Sequence, residues 1–201
     1  GGRLVKQYNC QGCHLINDFG GQLGDIIGAA EYSPPNLNTE GKKANPDWLL
    51  SFLKDPSIIR PNLQVKMPSF HQVTDEEWNA IIKYFQQLDN EKIAYRADLV
   101  FDKNSLEFKG GEMLHELGAC NNCHFYGTTF PKQDASTWAP NLALTKERLN
   151  PDWVKEWLRD PQTIMPGTKM PAPYLPSEDL LILDGAELDW GTELVKMNGD
   201  T

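Results

Sequence analysis

Several features that define other classes of protein are missing from this sequence of 201 residues. It has no apolar run approaching the ~20 residues that a membrane-spanning helix needs. Residues 1–6 lack the apolar stretch of a signal peptide, so we expect neither an export signal nor a membrane anchor in the chain. Basic side chains are outnumbered, with 19 Lys and Arg against 28 Asp and Glu and a formal net charge of -9. Because nucleic acid binding needs a basic surface, nucleic acid is not an expected partner.

The composition that remains is that of a soluble globular protein, with 40% hydrophobic and 23% charged residues. The length suits one large domain or two small ones. Cysteine is scarce, but its four copies form two clusters that share the pattern Cys-x-x-Cys-His. The clusters are Cys10, Cys13 and His14, and Cys120, Cys123 and His124.

The pattern Cys-x-x-Cys-His is typical of covalent attachment of c-type haem. Two thiols three positions apart lie on one side of a helical turn, where they can form thioether bonds to the two vinyl groups of a porphyrin. The next residue can then point its imidazole at the iron. Three other interpretations remain open: two disulfides, a zinc site and a thioredoxin-like redox pair. Two disulfides would leave the paired histidines unexplained. A zinc site is disfavoured by the wide separation of the clusters, and a redox pair by the missing βαβ context.

The chain also contains an internal repeat, which predicts two units of similar structure. Short motifs recur in the same order about 105 positions apart. They are Pro-Asn-Leu at 35–37 and 140–142, Asn-Pro-Asp-Trp at 45–48 and 150–153, Asp-Pro at 55–56 and 160–161, and Met-Pro at 67–68 and 170–171. We therefore predict a first domain at 1–95, a linker at 96–107 and a second domain at 108–201.

Helix signals occur throughout both units, and we find no convincing strand alternation, so the predicted fold class is all-α. Asn45 and Thr74 are candidate N-caps, and Glu77 completes a capping box with Thr74. Short helices are also expected before each cysteine cluster, at 4–8 and 113–117. The second unit departs from the repeat after Met170, where an acidic C-terminal segment carries seven acids and one lysine from Glu178 onward. Its closing helix is expected at 186–197.

In this order of motifs the sequence resembles class I cytochromes c in a tandem dihaem form. The resemblance implies two covalently attached haem c groups, each enclosed by a few short helices. It also implies that the carbonyls of Pro35 and Pro140 orient the proximal ligands His14 and His124. The alternative is that these prolines only shape turns.

The same resemblance implies a methionine as the distal iron ligand in each unit. Met67 and Met170 match, both followed by proline, whereas core filling is the ordinary role of a methionine. Trp48 and Trp153 are candidates for packing against the haem edges and donating an indole N–H to a propionate, with a plain core role as the alternative.

Two iron atoms with all six ligands leave no open position for a substrate, so the sequence predicts an electron-transfer protein rather than an enzyme. Its partners are then respiratory redox proteins, at a periplasmic or outward-facing location that the resemblance implies. Two alternatives are a subunit or excised domain of a membrane respiratory complex and a dihaem peroxidase-like enzyme. Basic residues near the first cluster predict an exposed basic surface for an acidic partner: Lys42, Lys43, Lys54, Arg60 and Lys66.

Overall fold

The computed structural model describes residues 1–29, 32–60, 66–90 and 102–172, and these residues are mainly helical. The first six helices are α1 Gly2–Gln7, α2 Cys10–Cys13, α3 Gln22–Ile27, α4 Glu40–Lys43, α5 Pro46–Lys54 and α6 Asp75–Leu88. The next four are α7 Leu106–Leu117, α8 Thr145–Arg148, α9 Pro151–Arg159 and α10 Pro161–Ile164. Short 3-10 helices lie at Cys120–Asn122, Ala135–Thr137 and Leu142–Leu144. The predicted helical content is confirmed for these ranges, and the division into two tandem domains stays a prediction.

One difference from the sequence prediction is a small antiparallel hairpin of β1 Leu15–Ile16 and β2 Phe19–Gly20. Strands of two residues are too short to show an alternation of polar and apolar side chains. The hairpin turn consists of Asn17 and Asp18, whose φ angles of 52° and 61° are left-handed. Tight two-residue hairpin turns of the kind that matches the twist of the flanking strands require two successive left-handed residues.

The predicted helix starts are confirmed by their capping hydrogen bonds. The side chain of Asn45 accepts from the backbone N–H of Asp47 at 3.0 Å, and α5 begins with Pro46. Thr74 and Glu77 form the expected capping box, with bonds of 3.3 and 3.1 Å between side chain and backbone. These bonds satisfy backbone donors that a helix leaves unpaired in its first turn.

Helix α6 carries a buried apolar stripe and organises the core of the first half of the chain. The stripe consists of Trp78, Ile81, Ile82 and Phe85. Helix α4 crosses α6 so closely that a Cβ at Gly41 would collide with the carbonyl of Phe85. Only glycine permits that approach, which brings α4 and the following α5 against one face of α6.

Helix α7 begins at Leu106, inside the predicted linker and well before the short helix predicted at 113–117. Its start is set by Ser105, whose Oγ accepts from the backbone N–H of Phe108 at 3.2 Å. The predicted domain boundary at 95–96 and the closing helix at 186–197 lie outside the described residues.

Candidate functional site

The first Cys-x-x-Cys-His motif folds as one closed helical turn. Asn9, just before it, has a left-handed φ of 53°, and α2 then spans the two cysteines. The turn closes with a hydrogen bond in which the backbone N–H of His14 donates to the carbonyl of Cys10 at 2.9 Å. Helix geometry therefore places the thiols of Cys10 and Cys13 one turn apart, as the sequence predicts.

The imidazole of His14 is held by the carbonyl of Pro35, which accepts from Nδ1 at 2.8 Å. Because a carbonyl only accepts, the proton is on Nδ1, and Nε2 keeps its lone pair for a metal. Burial lowers the pKa of His14 below its ordinary value, although the bond to Pro35 acts in the opposite direction. The ring is thus neutral and oriented, the state that a histidine ligand requires.

Met67 lies on the same cleft as the first motif. The residues lining this cleft are Asn9, Cys10, Cys13, His14, Met67, Pro68 and Phe70. The ring of Phe70 packs edge-on against Trp78 of α6 at 6.2 Å and Tyr8 at 6.4 Å between centroids. These aromatic contacts connect the Met67 loop to α6. The structure therefore brings together the four residues that the sequence assigns to the first site, and Phe70, which sequence reasoning missed, supports the loop.

The second motif repeats the backbone geometry of the first. Ala119, just before it, has a left-handed φ of 50°, and a 3-10 turn begins at Cys120. The backbone N–H of His124 donates to the carbonyl of Cys120 at 2.9 Å, and the carbonyl of Pro140 accepts from Nδ1 of His124 at 2.7 Å. Burial lowers the pKa of His124, as it does for His14. Both histidines are therefore neutral and held by the prolines named from the sequence.

A further backbone bond is common to the two motifs. The residue after each histidine accepts a hydrogen bond from the leucine of the Pro-Asn-Leu segment. The carbonyl of Leu15 accepts from the N–H of Leu37 at 2.9 Å, and that of Phe125 accepts from the N–H of Leu142 at 2.8 Å. The Pro-Asn-Leu segment is thus fixed to its motif by main chain as well as by the imidazole.

The second motif differs in the groups beside it. Within the described residues, Nε2 of His115 is buried with no hydrogen-bond partner, and its ring packs edge-on against Tyr126 at 6.4 Å. Met170 is half-buried, and its backbone N–H donates to Oγ1 of Thr168 at 3.3 Å. These contacts do not connect Met170 with Cys120, Cys123 or His124. Its role as the second distal ligand stays a prediction.

Both candidate tryptophans pack against aromatic neighbours on their own helices. Trp48 stacks on Phe52 with ring centroids 4.9 Å apart, and Trp153 stacks on Trp157 at 5.2 Å. The indole N–H of Trp153 donates to Oγ1 of Thr39 at 3.3 Å, so this donor already has a protein acceptor. A contact of either tryptophan with a haem edge stays a prediction.

The expectation of an exposed basic surface near the first motif is wrong for Lys43, which the fold buries, whereas Lys54 stays exposed. Lys43 is 6% exposed and pairs at 2.9 Å with Glu40, which is 8% exposed. Three of the other basic residues also have partners: Lys42 pairs with Glu156 at 2.7 Å, Lys54 pairs with Asp75 at 2.7 Å, and Arg60 donates to the carbonyl of Ser33 at 3.1 Å. The sequence carries no signal for this buried pair beyond the spacing of Glu40 and Lys43.

The alternatives to haem attachment gain no support from the structure. All four cysteines are free thiols, so no disulfide forms between the clusters. In the ranges that the structure describes, no three His, Cys, Asp or Glu side chains come together as a metal site. The donor sets at the two motifs instead fit haem c: two thiols on one turn, followed by an oriented neutral imidazole.

These features define a site of the c-type cytochrome class in the first part of the chain, and comparison with known proteins agrees. Residues 1–85 match the family model of cytochrome c oxidase, cbb3-type, subunit III. A stretch of 74 residues is 38% identical to cytochrome c oxidase subunit 2 of Bacillus subtilis (strain 168), covering 33% of this chain and 21% of that protein. The chain thus spans about a fifth of that relative's length. No solved structure matches.

Residues 1–85 are therefore similar to a c-type cytochrome domain of respiratory oxidase subunits. Among the helices that the structure describes, none is both long and apolar enough to cross a membrane.

Proposed function

We propose that this chain is a dihaem c-type cytochrome that carries electrons between respiratory redox partners. The observation that carries the proposal is the shared geometry of the two motifs. Each has a left-handed residue before the first cysteine, a turn closed from histidine to cysteine at 2.9 Å, and a proline carbonyl on Nδ1. Because the second motif keeps every one of these bonds, it is built for the same group as the first.

The residues of the first site have distinct tasks. Cys10 and Cys13 hold the group covalently, while Pro35 keeps the ring of His14 in one orientation and one tautomer. Met67, which lines the same cleft, would offer a thioether as the second protein ligand. Haem c bound there supplies one-electron Fe(III)/Fe(II) chemistry, and His/Met ligation raises its reduction potential. Two protein ligands on each iron leave no position for a substrate, so electron transfer is the activity that the site supports.

A second candidate function is favoured by the comparisons. The family model and the Bacillus subtilis relative are both named as subunits of cytochrome c oxidases. The chain then acts as the electron-entry part of a membrane respiratory complex at its outward-facing side. The redox chemistry of the site is the same in both candidates, and the difference lies in whether the partner is permanent.

The proposal is tested by counting haems and identifying their ligands in the full chain. Mass spectrometry of the matured protein should find two haems, and Cys120→Ser/Cys123→Ser should retain one. Met67→Ala should abolish the methionine–iron absorption band of one haem and lower one potential in a redox titration. The matched control is Met165→Ala, which removes another methionine followed by proline and should leave both haems unchanged.

Three outcomes would contradict parts of this proposal. A single haem in the matured chain, unaffected by Cys120→Ser/Cys123→Ser, would remove the second site. A Met67→Ala protein with both methionine–iron bands intact would remove that ligand. A five-coordinate haem in the parent protein together with turnover of hydrogen peroxide would establish the peroxidase-like alternative instead of pure electron transfer.

A further inference from the structure

The two halves of the chain contact each other through segments that occupy equivalent places in the repeat. Ala44 and Leu149 form an antiparallel bridge. The backbone N–H of Asn45 donates to the carbonyl of Arg148 at 2.8 Å, and the N–H of Asn150 donates to the carbonyl of Lys43, also at 2.8 Å. Each residue of the first segment is 105 positions before its equivalent in the second. Pairing of a segment with its own equivalent is the arrangement that a twofold axis produces.

Side chains on both sides of the bridge repeat this symmetry. The ammonium of Lys43 lies 5.7 Å from the ring centroid of Trp153, and the guanidinium of Arg148 lies 5.5 Å from that of Trp48. Lys43 and Arg148 are equivalent positions, as are Trp48 and Trp153. Each half therefore places a cation over the tryptophan of the other, a favourable contact that is made twice.

Other contacts at this surface have no symmetric counterpart. Lys42 pairs with Glu156 at 2.7 Å, whereas the equivalent positions hold Glu147 and Ser51, which cannot form an ion pair. Oγ1 of Thr39 accepts from the indole of Trp153 at 3.3 Å. The equivalent of Thr39 is Leu144, which offers no acceptor side chain to Trp48. Backbone and aromatic contacts are thus self-complementary, but the charges distinguish the two halves.

This difference decides which pairing is favourable. If two second halves met through the same geometry, Glu147 of each would face Glu156 of the other, and like charges oppose association. If two first halves met, Lys42 would face Ser51 and make no ion pair. Only the pairing of a first half with a second half brings Lys42 and Glu156 together as an ion pair. Interfaces often gain specificity by such a penalty against the wrong partner.

We propose that the pairing surface, formed by Lys42, Lys43, Trp48, Arg148, Trp153 and Glu156, selects the unlike half of the same chain and holds the two motif-bearing halves in one pseudo-twofold arrangement. The inference goes beyond the proposed function and does not depend on how many haems the chain binds, because it is based on protein contacts alone. If the second motif failed to bind haem, the pairing surface would stand.

The test uses the full chain and the exchange of two backbone amides, those of Asn45 and Asn150, which donate across the bridge. Lys42→Glu places two carboxylates together and should lower the protection of both amides about fivefold. Lys42→Glu/Glu156→Lys restores the ion pair and should restore protection. The control is Lys103→Glu, the same charge change at an exposed residue, which should alter neither amide. Unchanged protection in Lys42→Glu would overturn the proposal.

A second variant tests the choice of partner. Lys42→Glu/Glu147→Lys disfavours the unlike pairing and makes two second halves complementary, since Lys at position 147 would face Glu156 of the other chain. Sedimentation should show a dimer for this variant and a monomer for Lys42→Glu alone. In the dimer the amide of Asn150 should be protected and that of Asn45 exposed. A double variant that stays monomeric, or a parent protein whose protection is lost on dilution, would overturn pairing within the chain.

Discussion

The two halves of the molecule share the backbone geometry of their motifs but differ in the core beneath it. Ten of the twelve buried apolar residues in the described part of the chain precede residue 86, and the other two are Phe125 and Trp153. The histidine-to-proline bonds are nevertheless 2.8 and 2.7 Å, nearly the same in both halves. The motif geometry is therefore set by hydrogen bonds within each motif and between the motif and its own Pro-Asn-Leu segment. The position of the loop that carries Met67 depends instead on the core.

In the first half, the contact between Phe70 and α6 connects the Met67 loop to the core. Phe70 follows Met67 by three residues and contacts Trp78, which is 2% exposed. Met67 thus lines the cleft of the first motif on a loop that an aromatic contact fixes to a buried helix. The comparison predicts that damage to the core will separate the methionine from the motif without changing the motif itself.

The largest expected effect is that of Trp78→Ala, which should cost about 4 kcal/mol of unfolding free energy because it leaves a cavity in a packed core. Phe130→Ala in the second half removes a ring that is 66% exposed and should cost less than about 1 kcal/mol. Denaturant unfolding with separate detection of the two haems measures both. Equal losses in the two variants would contradict the difference between the halves.

Much of the local structure could be predicted from the sequence, because its causes are local. Caps at Asn45 and Thr74 determine where α5 and α6 begin, and the spacing of Trp78 and Phe85 determines which face is buried. The expected hydrogen bonds of His14 and His124 are present as well. Each of these features depends on residues within one motif or on a motif order that the resemblance supplies.

What the sequence could not predict depends on contacts between distant segments. The bridge of Ala44 with Leu149 consists of main-chain bonds, which have no residue signature. The burial of Lys43 was missed for the same reason, since a lysine is ordinarily exposed and the contacts of Lys43 with Glu40 and with Trp153 of the second half have no signature in the sequence. The small hairpin was missed because two-residue strands have no pattern.

A smaller effect is expected at Glu40, whose equivalent in the second half is Thr145. Burial acts to raise the pKa of Glu40, but Lys43 and Arg148 outweigh it and hold the pKa below the ordinary value of 4.5. A carboxyl with a lower pKa in the folded state stabilises the fold above its unfolded pKa and loses that contribution as pH falls through its folded pKa. Glu40→Gln should therefore cost about 3 kcal/mol at pH 7 by leaving Lys43 buried without its counter-charge.

The free energy of unfolding of the same variant should approach that of the parent protein as the pH is lowered through the acidic range. Glu40 of the parent protein then becomes protonated, so that it too loses the negative charge that the variant lacks. Urea unfolding at a series of pH values measures the difference between the two proteins. Glu112→Gln, at an exposed position of α7, serves as the control and should show no such convergence. A loss of stability in Glu40→Gln that is constant with pH would show that the ion pair is not the cause.

The smallest expected effect concerns the helix N-caps, a feature in which the two halves should be alike. Asn45 and Asn150 cap equivalent helices and accept from the backbone N–H of Asp47 and Asp152 at 3.0 and 3.1 Å. Replacing either by alanine should cost about 1 kcal/mol, since one helix donor loses its acceptor while the main-chain bonds across the bridge are kept. Serine at the same positions retains an acceptor and should restore most of the loss. Calorimetry of the four variants should give matching pairs, and a cost confined to Asn45→Ala would mean that the cap is stabilising only where a larger core supports it.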